Sequence, residues 1–99
     1  MTPPANPARG EAEICGHILR PSFTALVAAE EELGPLFALV ERAAAGELKL
    51  SEMVALFWHC LADRTGILRT DLGDKVMAGG LAAATPALRV LLSQILQGR

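Results

Sequence analysis

Residues 51–64 read SEMVALFWHCLADR, and their apolar side chains recur at the spacing of an α-helix. At about 100° per residue, five of them fall on one stripe, namely Met53, Val54, Phe57, Cys60 and Leu61. Ser51 is a suitable N-cap and Gly66 lies beyond the end of the pattern. The stretch therefore predicts a helix over about residues 52–64 that buries one side.

Two helices are predicted before this stretch. Ser22 follows a proline and can cap a first helix that Gly34 ends, and a second helix covers about residues 35–45. Helical spacing assigns to their buried faces Phe23, Leu26, Val27 and Leu33 in the first helix, and Leu36, Phe37, Leu39 and Val40 in the second.

Two further helices are predicted after it. Thr70 is a candidate N-cap for a helix that begins at Asp71 and stops at Gly79 and Gly80. In the last helix, Pro86 either opens the helix or lies in its first turns. The face assigned to its core side contains Leu81, Ala84, Leu88, Leu91, Leu92 and Ile95.

The N-terminal part has a different character. Residues 1–8 contain three of the six prolines and no charged side chain, which predicts a disordered arm. Two short segments at about 10–14 and 17–20 flank Gly16 and predict a β-hairpin whose Ile14 and Leu19 side lies against helices. The expected fold is mostly α (α+β), in which an N-terminal hairpin and about five short helices form one compact bundle over residues 9–99.

Composition excludes several classes of protein. The 99 residues include 17 Ala and 16 Leu, and the net charge of −2 comes with basic residues scattered singly along the chain. This pattern disfavours nucleic-acid binding. No apolar run reaches the roughly 18 residues of a membrane span, and two cysteines are few for a secreted disulfide scaffold. We therefore expect no membrane contact, reduced thiols and a cytoplasmic location.

Residues with metal-binding or catalytic chemistry are poorly arranged. Cys15, His17, His59 and Cys60 have the inventory of a zinc site, but adjacent His59 and Cys60 point about 100° apart on a helix. This favours a core thiol beside a solvent-exposed histidine. Neither cysteine lies where its thiolate would be activated, and residues 78–81 lack the pattern of a phosphate-binding loop. We expect no catalytic, cofactor-binding or metal-binding residue and no enzyme activity.

Glu30 is the carboxylate that the predicted first helix explains least. Its direction falls among those of Phe23, Leu26 and Val27, whereas Glu31 and Glu32 point outward. A buried carboxylate needs a partner. We expect a structural role, in which Glu30 pairs with an arginine such as Arg20 or Arg64 or accepts a bond from a backbone end; a partner contact and a catalytic acid are the alternatives.

Three apolar residues lie outside the predicted stripes. Trp58 and Leu56 lie at opposite borders of the stripe on the third helix, and Val90 points away from the stripe of the last helix. Tryptophan is frequent among binding hot spots, although a border tryptophan is also typical of a core edge. Leu56, Trp58 and Val90 are the predicted partner-binding residues.

The order of these features resembles the small tail proteins of gene transfer agents and siphophage-type prophages. The resemblance runs over about residues 9–97 and rests on Arg9-Gly10-Glu11, Gly16, Phe23-Thr24-Ala25-Leu26, Glu30-Glu31-Glu32-Leu33-Gly34, Ala45-Gly46 and Gly79-Gly80-Leu81. The chain departs from the family pattern in its Pro-rich arm, in Pro86 and in His59-Cys60.

The resemblance implies a phage tail assembly chaperone, a group also labelled tail tube proteins. In this role several copies cover the apolar helical segments of the long tape measure protein until tube subunits replace them. The implied partners are the tape measure protein and other tail proteins, with a homo-oligomer also open. The alternatives are a structural tube component, which the scarcity of strand-forming residues disfavours, and a generic helical interaction module.

Overall fold

Five helices and one two-stranded hairpin make up residues 12–97, the part of the chain that the computed structural model describes. The elements, in chain order, are β1 (Ala12–Ile14), β2 (His17–Leu19), α1 (Phe23–Leu33), α2 (Leu36–Ala44), α3 (Leu50–Cys60), α4 (Arg69–Gly79) and α5 (Leu81–Gln97). The predicted mostly α (α+β) class is confirmed. The predicted arm, residues 1–8, and the start of the predicted hairpin at residue 10 lie outside the described residues.

Helix α3 lies at the centre of the molecule, and α1 and α4 pack against it. All five residues of its predicted stripe are buried, and Ala55 and Leu56 are buried beside them. The helix begins at Leu50, where the Glu52 carboxylate accepts the Lys49 N–H (3.0 Å), so the predicted cap at Ser51 is wrong. The same carboxylate accepts a hydrogen bond from the Arg42 side chain of α2 at 2.6 Å, and this contact links α2 to the start of α3.

The hairpin is fastened to the end of α3. β1 and β2 pair antiparallel through a turn in which Cys15 (φ 52°) and Gly16 (φ 82°) both adopt positive φ. Arg20 N–H donates to the Cys60 carbonyl (2.6 Å) and Ala62 N–H donates to the Ile18 carbonyl (2.9 Å). α3 therefore stops at Cys60 rather than near residue 64, because the chain turns extended there to pair with β2. Ile14 and Leu19 are buried, as predicted.

The predicted inner face of α1 is wrong at two of its four residues. Phe23 is 84% exposed and Val27 is 36% exposed. The side of α1 that meets the core contains Ala25, Leu26, Ala29 and Leu33, and Ala29 is fully buried. Helical geometry places Phe23 and Val27 roughly opposite that side. Small alanines at the contact let α1 lie close to α3, and this sets the orientation of the helix.

Part of the prediction for α2 is also wrong. Phe37 is 76% exposed, whereas Leu39 is fully buried and Leu36 packs against the core. The helix therefore uses a narrower apolar face than the one that its sequence offers.

The last two helices differ from prediction mainly at their starts. α4 begins at Arg69 instead of Asp71, and the Asp71 carboxylate accepts the Leu68 N–H (3.0 Å) where a Thr70 cap is predicted. Pro86 lies inside α5, in its early turns, which is one of the two predicted alternatives. Ala84 and Leu91 of α5 are buried, but Leu81 is exposed.

Candidate partner-binding groove

An apolar groove of about 420 Å³ runs between α3 and α4. Leu50 and Val54 supply its α3 side and Gly73 and Met77 its α4 side. Each pair is four residues apart, so both members lie on the same face of their helix. Leu50 and Met77, which lie on opposite sides of the groove, are 39% and 54% exposed. Each therefore presents a large part of an apolar side chain to solvent.

Gly73 keeps this groove open. It lies in the interior of α4 and its φ angle is not positive, so its backbone conformation does not require glycine. A Cβ atom at this position would meet only Val54 Cγ1, at an ordinary 3.8 Å. Alanine would therefore fit, and it would favour the helix by roughly 0.5–1 kcal/mol. What glycine provides here is open space above Val54.

An ion-pair network forms one rim of the groove. Glu32 Oε2 accepts from Arg69 (2.6 Å), and Glu32 Oε1 lies 2.8 Å from His59 Nε2. The hydrogen bond from Arg69, followed by that with His59, lowers the pKa of the Glu32 carboxyl below its usual value. The network joins α1, α3 and α4. The predicted solvent-exposed histidine is therefore wrong, because the His59 side chain is only 14% exposed.

Trp58 lies beside this network and is partly buried. The guanidinium carbons of Arg64 and Arg69 stand 5.7 and 5.8 Å from its ring centroid, within cation–π range. Trp58 is thus a core-edge residue covered by two cations, and its predicted partner contact stays a prediction.

A second cavity, of about 280 Å³, lies on the other side of His59. Its charged and polar walls come from Arg20, Ser22, Thr24, His59 and Arg64, and its remaining walls from Leu61 and small alanines. His59 lines this cavity, and its partner Glu32 lines the groove.

Two other predicted site residues do not form a free surface. Leu56 is fully buried, so its predicted position at an exposed border is wrong: α3 packs against both α1 and α4. Val90 is partly buried and packs against the core. Its predicted partner contact also stays a prediction.

Glu30 is exposed, which corrects the prediction of a buried carboxylate. It lies on the outer side of α1 with Phe23 and Val27, because the inner side is the one formed by alanines. Its Oε2 accepts the N–H of Leu36, the first residue of α2, at 3.1 Å. Of the predicted partners for Glu30, the one found is therefore the backbone at a helix end, the start of α2. This hydrogen bond stabilises the turn between α1 and α2.

The cysteines differ in environment. Burial raises the pKa of the Cys60 thiol to about 12, which confirms the predicted core thiol, and Cys15 is exposed. Within residues 12–97, no group of three or more His, Cys, Asp or Glu side chains is placed to hold a metal ion.

The groove residues Leu50, Gly73 and Met77 were missed by sequence reasoning. The available signal was a glycine inside a predicted helix, followed four residues later by a methionine.

A family model described as "Phage tail tube protein, GTA-gp10" matches residues 12–98. The chain belongs to this family of phage tail proteins. The predicted resemblance to gene transfer agent and prophage tail proteins is thereby confirmed. No curated protein and no solved structure gives a significant match. Within residues 12–97 no single helix is long and apolar enough to cross a membrane, although α4 and α5 together, bent by 117°, meet that test of length and composition.

Proposed function

We propose that this chain is a non-enzymatic tail assembly chaperone that binds apolar helical segments of the tape measure protein in the α3–α4 groove. The observation that carries the proposal is the groove itself, with Gly73 holding it open at the expense of helix stability. Membership of a phage tail family supports other tail proteins as partners.

The apolar chemistry of the groove suits side chains from one face of a helix. An amphipathic helix binds a groove through anchors at i, i+3 or i+4 and i+7, and the exposed Leu50 and Met77 offer contacts to such anchors. Methionine adapts to differently shaped apolar partners because its side chain is unbranched and flexible. A chaperone that covers many different segments of one long protein needs this tolerance.

Filling the groove tests the proposal. Gly73→Leu should place a side chain over Val54, and Ala83→Leu, on the exposed start of α5, places the same side chain away from the groove. The tape measure protein is co-expressed with each variant and with the native chain. We expect the native chain and Ala83→Leu to co-purify with it, and Gly73→Leu to lose at least about tenfold in capture, the equivalent of one anchor. Equal capture by all three chains would exclude this groove.

Gly73→Ala supplies a companion measurement. A Cβ at this position meets only Val54 Cγ1 at 3.8 Å, so we expect the free energy of unfolding to rise by about 0.5–1 kcal/mol in urea denaturation. A decrease would mean that Gly73 serves the packing of α3 against α4 rather than an open groove.

The second candidate is a structural tube component, which the description of the family favours. It predicts rings or tubes of the purified chain and its presence in finished tails, whereas a chaperone is absent from them. Quantitative mass spectrometry of purified particles separates the two. The described strands are only three residues long, which leaves little sheet to extend between subunits.

A further inference from the structure

The groove between α3 and α4 has an excess of negative charge. Among the residues that the structure describes, the charged side chains that line it are Glu32, Arg69 and Asp74. Glu32 and Arg69 compensate each other through their ion pair at 2.6 Å. Asp74 is exposed and forms no hydrogen bond or ion pair with another described residue. One uncompensated carboxylate therefore remains in the wall of the groove.

The basic residues of α4 do not compensate Asp74. The helix contains two, and Arg69 already forms the ion pair with Glu32. The second, Lys75, follows Asp74 directly, but its Nζ lies 3.3 Å from Nε2 of His17 in the hairpin. Helical neighbours three residues apart lie on the same side, and the one before Asp74 is a second carboxylate, Asp71. A cation for Asp74 therefore has to come from a partner.

Asp74 lies beside the open space above Val54. It follows Gly73 directly and precedes Met77 by three residues, and it lines the groove with both of them. A helix that places an anchor in this space also covers part of Asp74. Covering a carboxylate without a cation removes its hydration at a cost in free energy, which a Lys or Arg of the partner offsets. The methylene groups of such a side chain also suit Met77, which is 54% exposed.

We propose that the groove selects apolar helices that carry a Lys or Arg beside their apolar face, and that Asp74 pairs with this cation within one turn of the anchor above Val54. The inference rests on the proposed function. The apolar contacts supply most of the affinity, and the charge pair supplies the choice among apolar segments. A cation on one flank of the apolar face meets the α4 wall in only one direction of the helix, so the pair also fixes that direction.

A charge-swap cycle tests the pair. The probes are overlapping peptides of several helical turns that cover the tape measure protein. Each peptide that binds is compared with versions in which the flanking Lys or Arg is changed to Gln or to Glu. In the full chain, Asp74→Asn removes the charge and Asp74→Lys reverses it. Glu31→Gln is the charge-matched control, because Glu31 is an exposed carboxylate of α1 that does not line the groove.

We expect the peptides that bind to carry a Lys or Arg beside their apolar face. The Gln version should bind the native chain about two- to fivefold more weakly, as for an exposed charge pair. Asp74→Asn should remove this difference, Glu31→Gln should retain it, and Asp74→Lys should prefer the Glu version. Added salt should reduce the preference of the native chain.

Two results would overturn the inference and leave the groove proposal intact, provided that Gly73→Leu abolishes binding of the same peptides. One is equal affinity of the native chain for the cationic and Gln versions. The other is a preference for the cationic version that survives in Asp74→Asn. Melting curves check that each variant folds, and the peptide versions test the native chain even where an Asp74 variant is unstable.

Failure of the proposed function gives a different result. If no peptide binds the native chain, or if Gly73→Leu binds the peptides as well as the native chain does, the groove is not the binding site. The groove proposal and the charge pair then fall together.

Discussion

Helices α1 and α3 are each 11 residues long and pack against each other, yet they are stabilised in different ways. Six residues of α3 are buried, whereas α1 buries only Ala29. α3 is covered from several sides, and α1 has solvent beyond its outer side. Polar contacts at its two ends fasten α1: Ser22 caps its start, and Glu30 and Glu32 link its end to α2, α3 and α4.

The difference shows that apolar composition alone does not tell whether a helix is stabilised by buried side chains or by polar contacts at its ends. Mutations in α3 should therefore act through cavities, and mutations in α1 through the loss of individual hydrogen bonds or ion pairs.

Leu56→Ala should lower the free energy of unfolding by about 2–5 kcal/mol, because it removes a fully buried side chain and leaves a cavity. Phe23→Ala removes a larger side chain from α1, but this residue is 84% exposed, so we expect a change within about 0.5 kcal/mol. Urea denaturation of both variants measures the contrast. Comparable losses would show that α1 buries its outer side in solution.

Glu30→Ala should lower stability by about 0.5–1.5 kcal/mol, since it leaves the first N–H of α2 without its side-chain acceptor. For a chain of this size about 1 kcal/mol corresponds to a fall of roughly 4–8 °C in the melting temperature. Glu31→Ala, one position along on the exposed surface, is the matched control. An unchanged melting temperature for Glu30→Ala would mean that the turn between α1 and α2 does not depend on this bond.

Glu32→Gln should have a smaller effect than Glu30→Ala, at most about 1 kcal/mol, because both partners of the ion pair with Arg69 are more than a third exposed. Arg69 and His59 lower the pKa of Glu32 in the folded chain, so its contribution is complete above the unfolded value of 4.5 and disappears as the pH falls through the folded value. The advantage of the native chain over Glu32→Gln should be complete at about pH 6 and should shrink steadily as the solution is made more acidic than the unfolded value. A difference that persists in acid would point to packing rather than charge.

The sequence predicted the parts of the fold that depend on local rules. The helical stripe of α3, the hairpin turn at Gly16 and the glycine after α1 follow from periodicity and backbone preference. The orientation of α1 did not follow, because it depends on the close contact that Ala25 and Ala29 allow with α3. A rule that assigns the largest apolar residues to the core places Phe23 inside.

The candidate site was harder to predict than the fold. The groove exists because Leu50 and Val54 of one helix face Gly73 and Met77 of another, and pairing of this kind is set by tertiary packing. Leu56 was assigned to a surface because its helix was treated alone. Trp58 was correctly placed at a core border, but nothing in the local pattern indicated that Arg64 and Arg69 would cover it.

The pairing of β2 with the end of α3 has a consequence for how the chain folds. It joins residue 18 to residue 62, so all of α1 and α2 is enclosed in the loop that this contact closes. The entropy of closing such a loop is recovered only once the end of α3 is in place, which makes the hairpin dependent on a late, long-range step. We expect the amide hydrogens of Arg20 and Ala62 to exchange with solvent together, because both donate across this one contact and both are freed when β2 leaves the end of α3.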